Sequence, residues 1–104
     1  MEGLELICFQ IISAAGGARS NYIEAIDAAK EGNFVKAKEL ISEGEKMFSE
    51  GHSIHTKLIQ QSASDDQEAV KVNMLLVHSE DMLMSAETFG ILAKEFIELY
   101  KKIK

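Results

Sequence analysis

Apolar residues recur every three or four positions along nearly the whole chain, in three runs separated by polar or glycine-containing breaks. The first run carries Leu4, Ile7, Cys8, Ile11, Ile12, Ala15, Ala18, Tyr22, Ile26 and Ala29. The second carries Phe34, Ala37, Leu40, Ile41, Gly44, Met47, Phe48, Gly51, Ile54, His55, Leu58 and Ile59. The third is predicted to begin near Asp65-Asp66 with Glu68, and it ends in Lys101-Lys102-Ile103-Lys104, so acids stand at its start and cations at its end, as the helix dipole favours. No segment alternates with period two, so no strand is assigned. Proline is absent, and the breaks fall instead at Gly32-Asn33 and at Ser62-Ala63-Ser64-Asp65-Asp66. Gly16-Gly17 interrupts the first run, and at about 1 kcal/mol of lost helix propensity per glycine it predicts a kink. Two short connections between three long helices predict an all-α fold, an antiparallel three-helix up-down-up bundle formed by a single domain over 1–104.

On a wheel at about 100° per residue, the third run has an unusually wide apolar arc. Val70, Met74, Val77, Asp81, Thr88, Leu92 and Leu99 share one side, and Leu75, His78, Met82, Ser85, Phe89 and Phe96 lie beside them. One helix of a three-helix bundle needs a narrower stripe than this. The excess predicts a second buried contact, most simply between copies of the chain, and a chain of 104 residues gains from oligomerising because its own core is modest.

Composition narrows the function classes. Hydrophobic residues make up 46% and charged residues 27%, which is a globular rather than a disordered balance. The net charge of −6 argues against a nucleic-acid partner, since phosphate backbones are held by lysine and arginine surfaces. The lone cysteine, Cys8, lies in the apolar run Leu6-Ile7-Cys8-Phe9 and reads as a buried thiol in a reducing compartment. No apolar stretch approaches the roughly 20 residues of a membrane span. The start Met1-Glu2-Gly3-Leu4-Glu5 lacks the basic region of a signal peptide. The expected location is therefore cytoplasmic, without direct membrane insertion.

Two side chains of the third run carry candidate chemistry. Asp81 is a carboxylate inside an apolar arc, with Val77, His78, Met84 and Ser85 three and four residues away and no lysine or arginine among them. It either orients or charge-stabilises His78, or meets other copies of itself around a divalent cation with oxygen ligands, or stands wetted at the edge of the stripe. His78 precedes it by one turn. A neutral imidazole in a groove is a competent phosphoryl acceptor, since its lone pair attacks directly and the resulting phosphoramidate stays reactive. The plainer reading of a single helical histidine is a satisfied core or surface residue.

The stretch His78-Ser79-Glu80-Asp81-Met82-Leu83-Met84 resembles the active-site signature of the lactose/cellobiose enzyme IIA family of the bacterial sugar phosphotransferase system, usually His-Ala-Gln-Asp-His-Leu-Met. Gly17-Ala18-Arg19-Ser20 with Glu24-Ala25-Ile26 is similar to the first-helix motif of that family, and Gly32-Asn33-Phe34 with Ala37 to its turn into helix two. His52-Ser53-Ile54-His55-Thr56-Lys57-Leu58-Ile59 resembles its Ala-His-x-x-Gln-Thr-x-Leu-Ile block, and Glu98-Leu99-Tyr100-Lys101 its C-terminal end. The resemblance implies a three-helix bundle that assembles as a homotrimer. It implies that His78 accepts a phosphoryl group from the carrier HPr and passes it to a cysteine of enzyme IIB, in a system for sugars of the lactose, cellobiose or chitobiose type. It further implies that Asp81 of three subunits shares a divalent cation, usually taken as Mg2+.

The chain also departs from that pattern. Met82 replaces the second histidine of the signature and Glu80 its glutamine, Gly17 replaces an acid of the first-helix motif, and His55 stands where the helix-two block has glutamine. Glu80 adds a negative charge near the acceptor and is expected to point away from the apolar arc. These changes motivate a second reading, a diverged regulatory or docking homologue with reduced transfer activity; composition alone allows a third, a purely structural bundle. His52 and His55 form an i,i+3 pair, too few ligands for a closed zinc site. Met74, Met82 and Met84 read as packing, and Arg19 as either a phosphate- or partner-docking cation or one half of an ion pair.

Overall fold

The computed structural model describes residues 3–63 and 72–104. They form three helices, α1 (Gly3–Lys30), α2 (Phe34–Ala63) and α3 (Met74–Ile103), with no strand among the described residues. The three lie side by side in a rod of 56 × 23 × 19 Å, longer than the roughly 45 Å that a single 30-residue helix spans at 1.5 Å per residue.

The α1–α2 joint shows how little sequence a sharp reversal needs. Gly32 takes φ 83°, a left-handed conformation strained for any residue with a Cβ. With that residue in place, Gly32 N–H donates to the Ala29 carbonyl at 2.9 Å and Asn33 N–H to the Ala28 carbonyl at 2.8 Å, the paired bonds of a Schellman ending. Asn33 then caps α2: its side chain accepts from Lys36 N–H at 3.2 Å and its carbonyl from Ala37 N–H at 3.1 Å.

Helix α3 starts later than its sequence pattern predicted. Asn73 is its N-cap, extended at φ −143° and ψ 174°, and its side chain accepts from Leu76 N–H at 2.8 Å. Asp65, Asp66, Glu68 and Val70, assigned from sequence to the start and arc of this helix, lie outside the described residues.

The core is built on α1. Ile11, Ala15, Ala18, Tyr22, Ala25 and Ala29 pack against Ala37 and Ile41 of α2 and Leu83, Ala86, Ala93 and Ile97 of α3. Numbers rise on α1 as they fall on α2: a Cβ at Gly51 would meet Ala14 at 3.1 Å, one at Gly17 would meet Met47, and one at Gly44 would meet Tyr22. Along α1 and α3 they rise together, with Gly16 beside Met82, Arg19 beside Ser85 and Tyr22 beside Gly90. Helix α1 runs unbroken through Gly16-Gly17. The pair instead makes room for methionines, Met82 from α3 and Met47 from α2.

Tyr22 is the widest group in this narrow seam and is held between two glycines. A Cβ on Gly44 would fall 2.8 Å from one ring edge and a Cβ on Gly90 2.9 Å from the other. Burial, and after it the Glu45 carboxylate, raises the pKa of the Tyr22 phenol.

Within α3, the face packed inside the molecule is Leu76, Ser79, Leu83, Ala86, Gly90, Ala93 and Ile97. That stripe is absent from the apolar arc read on the wheel: Ser79, Ala86, Gly90 and Ala93 carry little hydrophobic weight, and the arc omits Leu76, Leu83 and Ile97 as well. The arc instead covers a flank, where Leu75, Met82 and Phe89 are half-buried, and an outward face where Met74, Val77, Leu92 and Leu99 are each about half exposed or more. Cys8 is buried, as expected, in a second small cluster with Leu58 and Leu76.

The glycines generate a paired prediction. Gly90→Ala gains about 1 kcal/mol of helix propensity but drives a methyl into a ring that Gly44 blocks on the far side; overpacking of about 1–3 kcal/mol wins and the thermal midpoint falls. Gly16→Ala meets Met82 Cε at an ordinary 3.6 Å, so its midpoint stays or rises. Thermal melts followed by circular dichroism compare the two.

Candidate functional site

The first turns of α3 carry the candidate site, and their orientation follows from the inner stripe. Leu76, Ser79 and Leu83 are buried, so residues rotated away from them emerge. His78 and Asp81 are both exposed. They sit one turn apart beside Val77 and Met84, residues that are 50% and 62% exposed, so the imidazole and the carboxylate border an open apolar stripe. No hydrogen bond or ion pair joins His78 to Asp81.

Ser79, between them in sequence, faces the core at 0% exposure, and its hydroxyl donates to the Leu76 carbonyl of its own helix at 2.8 Å. That bond satisfies the hydroxyl without help from α1 or α2. Met82 is half-buried and reaches toward Gly16.

Glu80 points away from the outward face, as expected from its angle. Its carboxylate Oε2 lies 2.8 Å from Nε2 of His55 on α2. This contact escaped the sequence reading: each residue stood out as a departure from a pattern, but no periodicity links positions on different helices. His52, by contrast, is exposed and lies against Phe48 with ring centroids 5.9 Å apart, so the two histidines of α2 do not act together.

Arg19 forms no ion pair among the described residues; it donates weakly to Ser85 Oγ at 3.4 Å and lies 5.8 Å from the Phe89 ring centroid. The guanidinium therefore lies along the α1–α3 groove about two turns beyond His78.

As to metals, no three acidic, histidine or cysteine side chains converge among the described residues of one chain. Asp81 offers one hard oxygen donor, whereas Mg2+ and Ca2+ take six or more oxygens. Its carboxylate fits such an ion only where several copies bring theirs together, and its place on an exposed apolar stripe is compatible with that. No described helix is long and apolar enough to cross a membrane.

Comparison with known proteins agrees with this geometry. The sequence matches, over residues 6–101, the family described as the lactose/cellobiose-specific IIA subunit of the phosphotransferase system. It is 41% identical over 102 residues to the lichenan-specific phosphotransferase enzyme IIA component of Bacillus subtilis, covering 98% of this chain and 91% of that one. The fold superposes with a TM-score of 0.93 on the crystal structure of the cellobiose-specific enzyme IIA from Bacillus anthracis, at 40% identity, covering 99% and 93% of the two chains. It also matches the IIA(chitobiose) chain in a solution structure of the IIA–HPr complex of Escherichia coli, with a TM-score of 0.83, 34% identity and coverage of 99% and 98%. The chain belongs to the lactose/cellobiose-specific enzyme IIA family and is a component of a phosphotransferase system.

The turn bearing the site depends on its cap. Asn73→Ala removes the acceptor for Leu76 N–H and costs about 1 kcal/mol. The thermal midpoint is expected to drop and the first amides of α3 to exchange faster with deuterium, while amides near Tyr22 keep their protection relative to global unfolding.

Proposed function

We propose that this chain is a cytoplasmic phosphoryl carrier in bacterial sugar uptake, taking a phosphoryl group on His78 from HPr and giving it to a cysteine of an enzyme IIB. The observation that carries this reading is the placement of His78: it is exposed on a helix turn whose neighbours Leu76, Ser79 and Leu83 are buried, so a rigid turn presents the ring to an incoming protein. Family membership and the relative solved in complex with HPr support the choice of donor.

The chemistry asks little of the surroundings. A neutral ring nitrogen of His78 attacks phosphorus with its lone pair; the bond from phosphorus to the donor breaks and its electrons leave with the donor. In the second step the thiolate of the acceptor cysteine attacks, the phosphorus–nitrogen bond breaks, and its electron pair returns to the ring. Because the lone pair reacts directly, no separate general base is required on the described surface.

The helix pairings support an up-down-up bundle, and the outward apolar stripe of α3 supports a homotrimer in which those stripes meet. Burying that stripe removes exposed apolar side chains from water at about 25 cal/mol per Å2. Such an assembly brings three Asp81 carboxylates together, and like charges at short range repel. A divalent cation, Mg2+ in this proposal, would supply the compensating charge with Asp81 of three subunits as its protein ligands.

A second reading rests on Met82 and Glu80: with no histidine at the one and an acid at the other, the chain is a docking or regulatory homologue that transfers slowly. Phosphoryl exchange with its enzyme IIB as fast as that of a typical family member eliminates it.

Two experiments test the main reading. After mixing with phosphoenolpyruvate, enzyme I and HPr, mass spectrometry under mildly alkaline conditions is expected to place an acid-labile phosphoryl group on His78, and His78→Ala to lose it; equal labelling of that variant refutes the assignment. Asp81→Leu is expected to leave the oligomer intact or more stable and indifferent to chelator. Chelator sensitivity that survives the substitution puts the cation elsewhere.

A further inference from the structure

Two departures from the family pattern, 25 residues apart in sequence, meet in space as His55 and Glu80. A carboxylate only accepts hydrogen bonds, so the ring donates through Nε2–H, and the contact fixes where the imidazole proton sits. The pair is sheltered: the His55 side chain is 18% exposed and that of Glu80 42%, whereas Lys94–Glu45 and Lys101–Glu98 join side chains that are all about half exposed or more. Among the described residues it is also the acid–base contact nearest the candidate acceptor. Glu80 follows His78 by two residues, about 3 Å along the helix axis and about 200° around it. Among the described residues, the cleft that Glu80 borders is otherwise lined by Leu58, Ile59, Ser62, Val72 and Leu76, which carry no charge.

We propose that His55 is a positioning residue for phosphoryl transfer at His78. It draws the Glu80 carboxylate across to α2 and holds it there through the Nε2–H hydrogen bond, so that a phosphoryl group arriving at His78 meets no freely moving acid on the same turn. The proposal rests on the reading of His78 as the acceptor. Without the imidazole, the Glu80 side chain regains its rotamers and its charge is released from α2 within about one Debye length of the transferring group, roughly 10 Å at 0.1 M salt. That charge opposes an anionic group arriving from a phosphorylated partner and slows its association.

The test uses four chains, unmodified, His55→Leu, Glu80→Gln and the double variant, each confirmed as folded by circular dichroism. The readout is the second-order rate of phosphoryl transfer from phosphorylated HPr, measured at low and at high salt. His55→Leu, which removes the Nε2–H donor, is expected to slow transfer about threefold or more at low salt and by less at high salt, while Glu80→Gln and the double variant run at the unmodified rate. His55→Ala gives the same comparison should His55→Leu fail to fold. Transfer by His55→Leu at the unmodified rate overturns the proposal. So does a double variant as slow as His55→Leu, or a Glu80→Gln chain equally slow, since either makes the bond a strut rather than a restraint on the charge. An unmodified chain that takes no label removes the reading of His78 itself, and this proposal with it.

Discussion

Three long helices can share a core only about two side chains thick if their backbones come close, and that approach is the constraint that shapes every other feature of the molecule. Helix α1 meets it with alanine at 15, 18, 25 and 29, all at 0% exposure. Its partners meet it with Gly44 and Gly51 on α2 and with Ala86, Gly90 and Ala93 on α3. Small residues bury little area each, so stability comes from close packing over a long seam rather than from a few large anchors. Tyr22 is the exception, and the glycines on either side of its ring show how tightly the spacing is drawn.

The same economy governs α3. Because its inward stripe is made largely of small residues, its larger apolar side chains stand elsewhere, and Val77, Met84, Leu92 and Leu99 face outward. A helix with apolar character on opposite faces is stable in water when both are covered. The proposed trimer covers the second one, and it places His78 at the border between the covered stripe and solvent. Exposure of the ring and burial of its neighbours then have one cause, the angular offset between the two stripes. Glu80, on a third side of the helix, is turned toward α2, where His55 receives it.

Much of this was legible in the sequence. Helical spacing placed Ile11, Ala15, Ala18 and Tyr22 on one face of α1 and Ala37, Ile41 and Leu58 on one face of α2, and all are buried. Gly32-Asn33 marked a reversal whose bonds the structure supplies. The family was legible from motifs spread along the chain. Other features were not. The inner stripe of α3 was hidden: Ser79, Ala86, Gly90 and Ala93 look neutral on a hydrophobicity scale, and the arc omits Leu76, Leu83 and Ile97 as well. The start of α3 was misplaced because acids are good first-turn residues but only a cap such as Asn73 fixes a helix end. The Gly16-Gly17 pair looked like a weakness because propensity counts a glycine in isolation, and it does not see the methionines that occupy the space. The His55–Glu80 contact is a tertiary fact that one-dimensional periodicity does not encode.

The reversal between α1 and α2 sets a limit on how this chain can vary in length. Glu31, Gly32 and Asn33 are the whole connection, and Asn33 both closes one helix and opens the next. One residue inserted within either helix beside that joint would rotate the remainder of that helix by about 100° and advance it by about 1.5 Å. Gly44 and Gly51 would then turn away from Tyr22 and Ala14, and larger side chains would be driven into their place. Relatives that keep this seam are therefore free to exchange the exposed side chain at position 31 but bound to keep the spacing, so length changes should fall elsewhere than at this turn.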